Sequence, residues 1–66
     1  MNVELNGKMV ELDDIKTVGE LIRSRDLKPR MVAVELNGEI VPRERFDEQG
    51  IKDGDRLEIV HFVGGG

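Results

Sequence analysis

The chain has 66 residues, room for one domain, with ten Lys and Arg against fourteen Asp and Glu and a net charge of −4. Cysteine is absent and the one histidine is His61, which excludes disulfide staples, thiolate chemistry on this chain and multi-histidine metal sites. The acidic balance and the lack of Trp and Tyr argue against nucleic acid, which needs a basic patch and stacking platforms.

A chain this short buries only about 60% of its unfolded surface on folding, so little volume is left for an internal catalytic cavity. No apolar run approaches the roughly 18 residues that suggest a membrane span. The start, Met1-Asn2-Val3-Glu4, is not that of a signal peptide, so a cytoplasmic location without membrane contact is expected. The acidic surface has two readings: solubility, or steering toward a basic partner.

The pentapeptide Val3-Glu4-Leu5-Asn6-Gly7 recurs as Val34-Glu35-Leu36-Asn37-Gly38. Two copies are too few and too short for a solenoid. Each reads as a strand entering a turn, because Asn-Gly tolerates positive φ and is a strong hairpin signal. Residues 2–12 are therefore predicted to form a β-hairpin, broken by Asp13-Asp14. Thr17-Val18-Gly19-Glu20 matches a capping box, and Val18, Leu21 and Ile22 fall on one helical stripe. A helix is predicted over residues 18–26, with Pro29 marking its stop. Gly19 weakens that helix by up to about 1 kcal/mol relative to Ala, and its small size is read as permitting a close approach to the sheet.

Residues 31–36 are predicted as a third strand, with Val32, Val34 and Leu36 on one face. Ile40-Val41 is a short edge piece, since Pro42 cannot donate to a ladder. Residues 43–49 are predicted to make a helical turn seating Phe46 in the core. Asp53-Gly54-Asp55 is a turn, and residues 56–63 form the last strand, with Leu57 and Ile59 on one face and Val60 and Phe62 split between faces by the period of two. The expected fold class is α+β: a small mixed β-sheet packed on one α-helix, spanning residues 1–63, followed by a flexible glycine tail, residues 64–66. One helix covers one sheet face and leaves the other for water or a partner.

Three of the eight glycines are the last three residues, Gly64, Gly65 and Gly66. A frayed end is one reading. The other is an arm. Three glycines extend the chain by roughly 10 Å, and without side chains they thread a cleft where any Cβ would clash. Such a cleft would receive the carboxylate of Gly66. A carboxylate resists nucleophiles because oxide is a poor leaving group; transfer of AMP from ATP makes an acyl-adenylate that a sulfur or nitrogen nucleophile can attack. The chain has no phosphate-cradling loop. The adenylating machinery must then belong to a partner, and this chain is its substrate.

The stretch Val32-Ala33-Val34-Glu35-Leu36-Asn37-Gly38-Glu39-Ile40-Val41-Pro42-Arg43 with Phe46, then Asp53-Gly54-Asp55-Arg56-Leu57-Glu58-Ile59-Val60 and the Val63-Gly64-Gly65-Gly66 end, resembles the small ThiS-type sulfur carriers of thiamine thiazole biosynthesis, within the ubiquitin-like β-grasp proteins. The resemblance covers essentially the whole chain. It implies activation of Gly66 with ATP by an E1-like (ThiF-type) adenylyltransferase and a thiocarboxylate at that glycine. It further implies a sulfur donor such as a cysteine desulfurase, and delivery of the sulfur to a thiazole synthase (ThiG-type). Gly65 is then the required neighbour and Gly64 a more variable member of the tail. Where Trp is frequent in the family, Phe46 stands here, which bears on packing.

The resemblance implies no catalytic residue, metal or bound cofactor on this chain; ATP is the partner's. Val60, Phe62 and the sheet face opposite the helix are candidates for partner binding, against the reading that Phe62 is core. His61 is expected to have a structural or surface role, Asp53 and Asp55 to be turn residues rather than a cation site, and Arg43, Glu44 and Arg45 to form a solvated charged turn rather than a docking site. Two alternatives remain open: a carrier for another sulfurated product, such as molybdopterin or an amino acid, and a noncovalent β-grasp interaction module with an incidental tail.

Overall fold

The computed structural model describes residues 1–62. Val63 and the glycines at 64–66, including the expected domain boundary and tail, lie outside the described residues. Five strands form one mixed sheet in the order β2-β1-β5-β3-β4: β1 (Asn2–Leu5), β2 (Lys8–Glu11), β3 (Val32–Leu36), β4 (Glu39–Ile40) and β5 (Arg56–His61). The β1–β2 and β3–β4 pairs are antiparallel hairpins. The last strand enters between them, parallel to β1 and antiparallel to β3. Both hairpin turns carry Asn-Gly at positive φ, with Asn6 at 50° and Asn37 at 52°, the conformation such a two-residue turn requires.

Period-two alternation sets the faces. Val3, Val32, Val34 and Leu57 point to one side and are fully or almost fully buried against Leu21 and Ile22 of the helix, α1 (Val18–Ser24). Leu12, Val41, Phe46 and Ile51 close the rim of this core. Phe46 sits at the end of a 3-10 turn, Arg43–Arg45, as the sequence predicts for that segment.

The capping box forms as read: the Glu20 amide donates to Thr17 Oγ1 at 3.1 Å, and the Thr17 amide to Glu20 Oε1 at 3.3 Å. The other helix-start amides are met by the segment after the 3-10 turn, with Val18 N–H on the Gln49 carbonyl and Gly19 N–H on that of Phe46. This corrects the reading of Gly19. The glycine lies against the segment at 46–49 rather than the sheet, and a Cβ there would meet the Asp47 carboxylate.

The helix also ends earlier than predicted, at Ser24 instead of residue 26. Asp26 takes φ 59°, its N–H bonds the Arg23 carbonyl, and Leu27 N–H bonds that of Ile22. This is a Schellman closure with Asp where Gly is usual. Pro29 therefore does not stop the helix; it opens a second 3-10 turn, Pro29–Met31, which delays β3 to Val32.

Candidate functional site

The tail continues from β5, so the site is built from what holds that strand. Its even-numbered residues bond toward β3 and its odd-numbered ones toward β1. On the β1 side the ladder is short, pairing Glu4 with Arg56 and Leu5 with Leu57. The chain then turns away at Asn6, whose carboxamide takes the place of the next strand residue. Ile59 N–H donates to Asn6 Oδ1 at 2.8 Å, and Asn6 Nδ2 donates to the Ile59 carbonyl at 3.2 Å. On the other side Asn37 works similarly: Arg56 N–H donates to its Oδ1 at 2.9 Å, and its Nδ2 donates to Asp55 Oδ1 at 3.0 Å. The repeated pentapeptide is thus explained by position. Its two copies flank the same strand, and each carries, before its glycine, an asparagine that clasps it.

Replacing Asn6 by Ala is expected to lower stability by about 1–2 kcal/mol, through the two lost backbone partners and the left-handed backbone. Urea unfolding measures the loss. Asn6→Gly, which relieves the backbone but still lacks the carboxamide, should recover only part of it.

The face opposite the helix carries three cross-strand rows. Met9, Glu4 and Arg56 form one, Ile40, Glu35 and Glu58 a second, and Ala33 with Val60 a third. Beyond the third row Phe62 N–H donates to the Met31 carbonyl at 2.8 Å. Val60 is 58% and Phe62 45% exposed, so neither is core. They stand next to the point where residues 63–66 begin. Glu35 and Glu58 are directly opposite each other, an unfavourable like-charge pair that a cationic neighbour would relieve.

The remaining candidates act within the fold. Asp53 Oδ1 accepts the Asn2 amide at 2.7 Å, and Asp55 Oδ2 accepts that of Lys52 at 2.7 Å. Both therefore staple the turn between Ile51 and β5. Asp55 is buried, and its two oxygens accept from Asn37 Nδ2 and from the Lys52 amide. His61 lies opposite Val32 and is exposed. Among the described residues no three His, Asp or Glu side chains gather as a metal set. Arg43 is not simply solvated: Nε donates to the Pro29 carbonyl at 3.0 Å and a terminal nitrogen to that of Val32 at 3.4 Å. A surface cleft of about 350 Å³ involves Asn37, Glu39, Gln49, Lys52 and Asp55. It opens at the start of β5, the end away from Phe62.

Asn6, Asn37 and Arg43 are the positioning residues that sequence reasoning did not assign. The self-match was the signal for the first two, since a repeated Asn-Gly after a repeated strand pattern marks equivalent places in the sheet.

Two hairpins joined through a central last strand, with one helix across one face, define a β-grasp fold of the ubiquitin-like type. No helix among the described residues is long and apolar enough to cross a membrane. Residues 2–66 match the model of the ThiS family, and the chain belongs to that family. It is 46% identical over 65 residues to the sulfur carrier protein ThiS of Bacillus subtilis, covering 97% of this chain and 98% of that protein. The crystal structure of the thiamine biosynthesis protein ThiS from Geobacter metallireducens superposes with a TM-score of 0.82 at 42% identity, covering all of both chains. The whole chain is also 41% identical to a part of the thiazole synthase of Paramagnetospirillum magneticum that makes up 20% of that protein.

Proposed function

We propose that this chain is a sulfur carrier in thiamine biosynthesis and that Gly66 is its working residue. An E1-like adenylyltransferase of the ThiF type transfers AMP from ATP to the Gly66 carboxylate, releasing pyrophosphate. A sulfide-level nucleophile displaces AMP and leaves a thiocarboxylate. Where the donor is a cysteine desulfurase, its persulfide displaces AMP to give an acyl disulfide. A second thiol then cleaves that bond, taking up the donor sulfur as a disulfide and releasing the thiocarboxylate. A thiazole synthase of the ThiG type then takes the sulfur into the thiazole ring. The chain supplies the acyl group and the surface its partners hold, and the catalytic groups and ATP site are theirs. A cytoplasmic location is part of this proposal.

The observation that carries this reading is the family match running through residue 66, which includes all three terminal glycines. The near-complete overlap with a sulfur carrier supports it. The match to a fifth of a thiazole synthase supports the choice of that enzyme as sulfur acceptor, because a carrier-like segment is there part of the same polypeptide. The exposed Val60 and Phe62 beside acidic Glu35 and Glu58 favour partners with an apolar patch rimmed by Lys or Arg.

Incubation with the activating enzyme, ATP and a sulfur donor is expected to raise the intact mass by the difference between sulfur and oxygen. An unchanged mass, with the same enzyme active on its own carrier, rejects the proposal.

A further inference from the structure

Arg43 ends the Val41-Pro42-Arg43 motif, and its position in the sheet shows what it does. The β3–β4 register pairs Glu35 with Ile40 and Leu36 with Glu39, and Val41 N–H continues it to the Val34 carbonyl. Two residues further, the Arg43 amide would meet the carbonyl of Val32. The chain does not stay extended long enough. Pro42 has no N–H, and after it the backbone turns into the 3-10 turn Arg43–Arg45. The Val32 carbonyl would lose its ladder donor, and the Arg43 guanidinium returns to supply one. The same planar group also donates to the Pro29 carbonyl. A lysine cannot reproduce that fork.

The two carbonyls flank Met31. Pro29 opens the 3-10 turn that contains Met31, and Val32 is the first residue of β3. The Met31 carbonyl accepts the N–H of Phe62, the last described backbone tie before residue 63. A continuous path therefore runs from Arg43 through the Pro29–Met31 turn to the point where the tail leaves.

We infer that Arg43 is a positioning residue for the C-terminal tail, holding the Pro29–Met31 turn so that the Met31 carbonyl fixes the Phe62 amide from which the tail departs. The inference rests on the carrier reading for its functional consequence. Its structural part stands without it. Glycines carry no side chain to set their own direction, so the Phe62 amide, the last described tie, sets where the chain toward Gly66 starts. A loosened anchor lowers the fraction of bound carriers whose carboxylate reaches the reacting nucleotide, while the contact surface on β5 is unchanged.

The test uses Arg43→Ala and Arg43→Lys in the full chain, with two readouts. Amide hydrogen exchange is compared at Phe62 and at Leu57, a core position of the same strand. Arg43→Ala should speed exchange at Phe62 by about tenfold and leave Leu57 at the wild-type rate. Arg43→Lys should restore only part of the protection. In adenylation by the activating enzyme, both variants should lose turnover, by about fivefold for Ala, at an unchanged KM.

Wild-type exchange at Phe62 in both variants overturns the inference. So does equal acceleration at Phe62 and Leu57, which shows general destabilisation. A raised KM with unchanged kcat also overturns it, since Arg43 would then touch the partner directly. If the Ala variant does not fold, the Lys variant decides by the same criteria. Wild-type protein that no activating enzyme adenylates rejects the carrier reading and with it the delivery role, whereas the clamp on Phe62 is still decided by exchange.

Discussion

Removing Gly66, or adding one residue after it, is expected to abolish conversion to the thiocarboxylate. Both changes leave residues 1–62 untouched, so the core and the partner-facing rows remain. What changes is the reacting atom. Without Gly66 the carboxylate is retracted by one residue, about 3.3 Å, which exceeds the misplacement that already costs large factors in rate. With an added residue the Gly66 carbonyl becomes an amide, and the new carboxylate lies as far beyond the nucleotide. Neither variant should gain mass with enzyme, ATP and donor, and both should still compete with wild-type protein for the activating enzyme. A noncovalent interaction module would tolerate the added residue with full function, which would reject the carrier reading.

Leu21→Ala is expected to be the most damaging of the simple core changes. Leu21 is fully buried where the helix meets the sheet, among Val3, Val32, Val34 and Leu57. Loss of its side chain removes the transfer free energy and leaves a cavity that a one-helix domain can close only partly. The expected loss is about 2–5 kcal/mol. Small domains hold roughly 0.05–0.15 kcal/mol per residue, so this takes most of the stability of a 66-residue chain. Urea unfolding should show a much lower midpoint, with part of the protein unfolded before denaturant is added. Met9→Ala is the control. Met9 is 67% exposed on the opposite face, and the change should stay within about 0.5 kcal/mol. A wild-type midpoint for Leu21→Ala would show that the helix is not the lid of this core.

The features legible in the sequence were those written within a few residues. Alternation at Val32, Val34 and Leu36 marked a strand with one buried face, and Asn-Gly at positions 6 and 37 marked two hairpin turns. Thr17 and Glu20 marked a helix start that forms bond for bond. The end of that helix was missed because an aspartate, Asp26, adopts the left-handed conformation that sequence reading assigns to glycine. Pro29 offered a more visible stop and opens a different turn.

The site divides along the same line. The working residue of the proposed carrier, Gly66, is a property of the sequence end and of side-chain absence, and residues alone suffice to suggest it. The exposure of Phe62 was undecided, because an apolar residue just past the end of a strand, three beyond half-buried Ile59, reads equally as core or surface. Its place beyond the third row of the uncovered face settles that it is exposed.

By itself, then, the sequence determined the elements, their buried faces and the chemistry available to the tail, since each depends on periodicity, turn chemistry or composition over a short span. Only the tertiary structure decided that β5 lies between β1 and β3, that Asn6 clasps Ile59 across 53 residues, and that Arg43 supplies the donor that Pro42 and the following turn withhold from β3. The physical reason is that a backbone group left unpaired by one element must be met by whatever side chain the fold brings beside it. Which side chain that is depends on sheet order and register, quantities that no local pattern in the chain encodes.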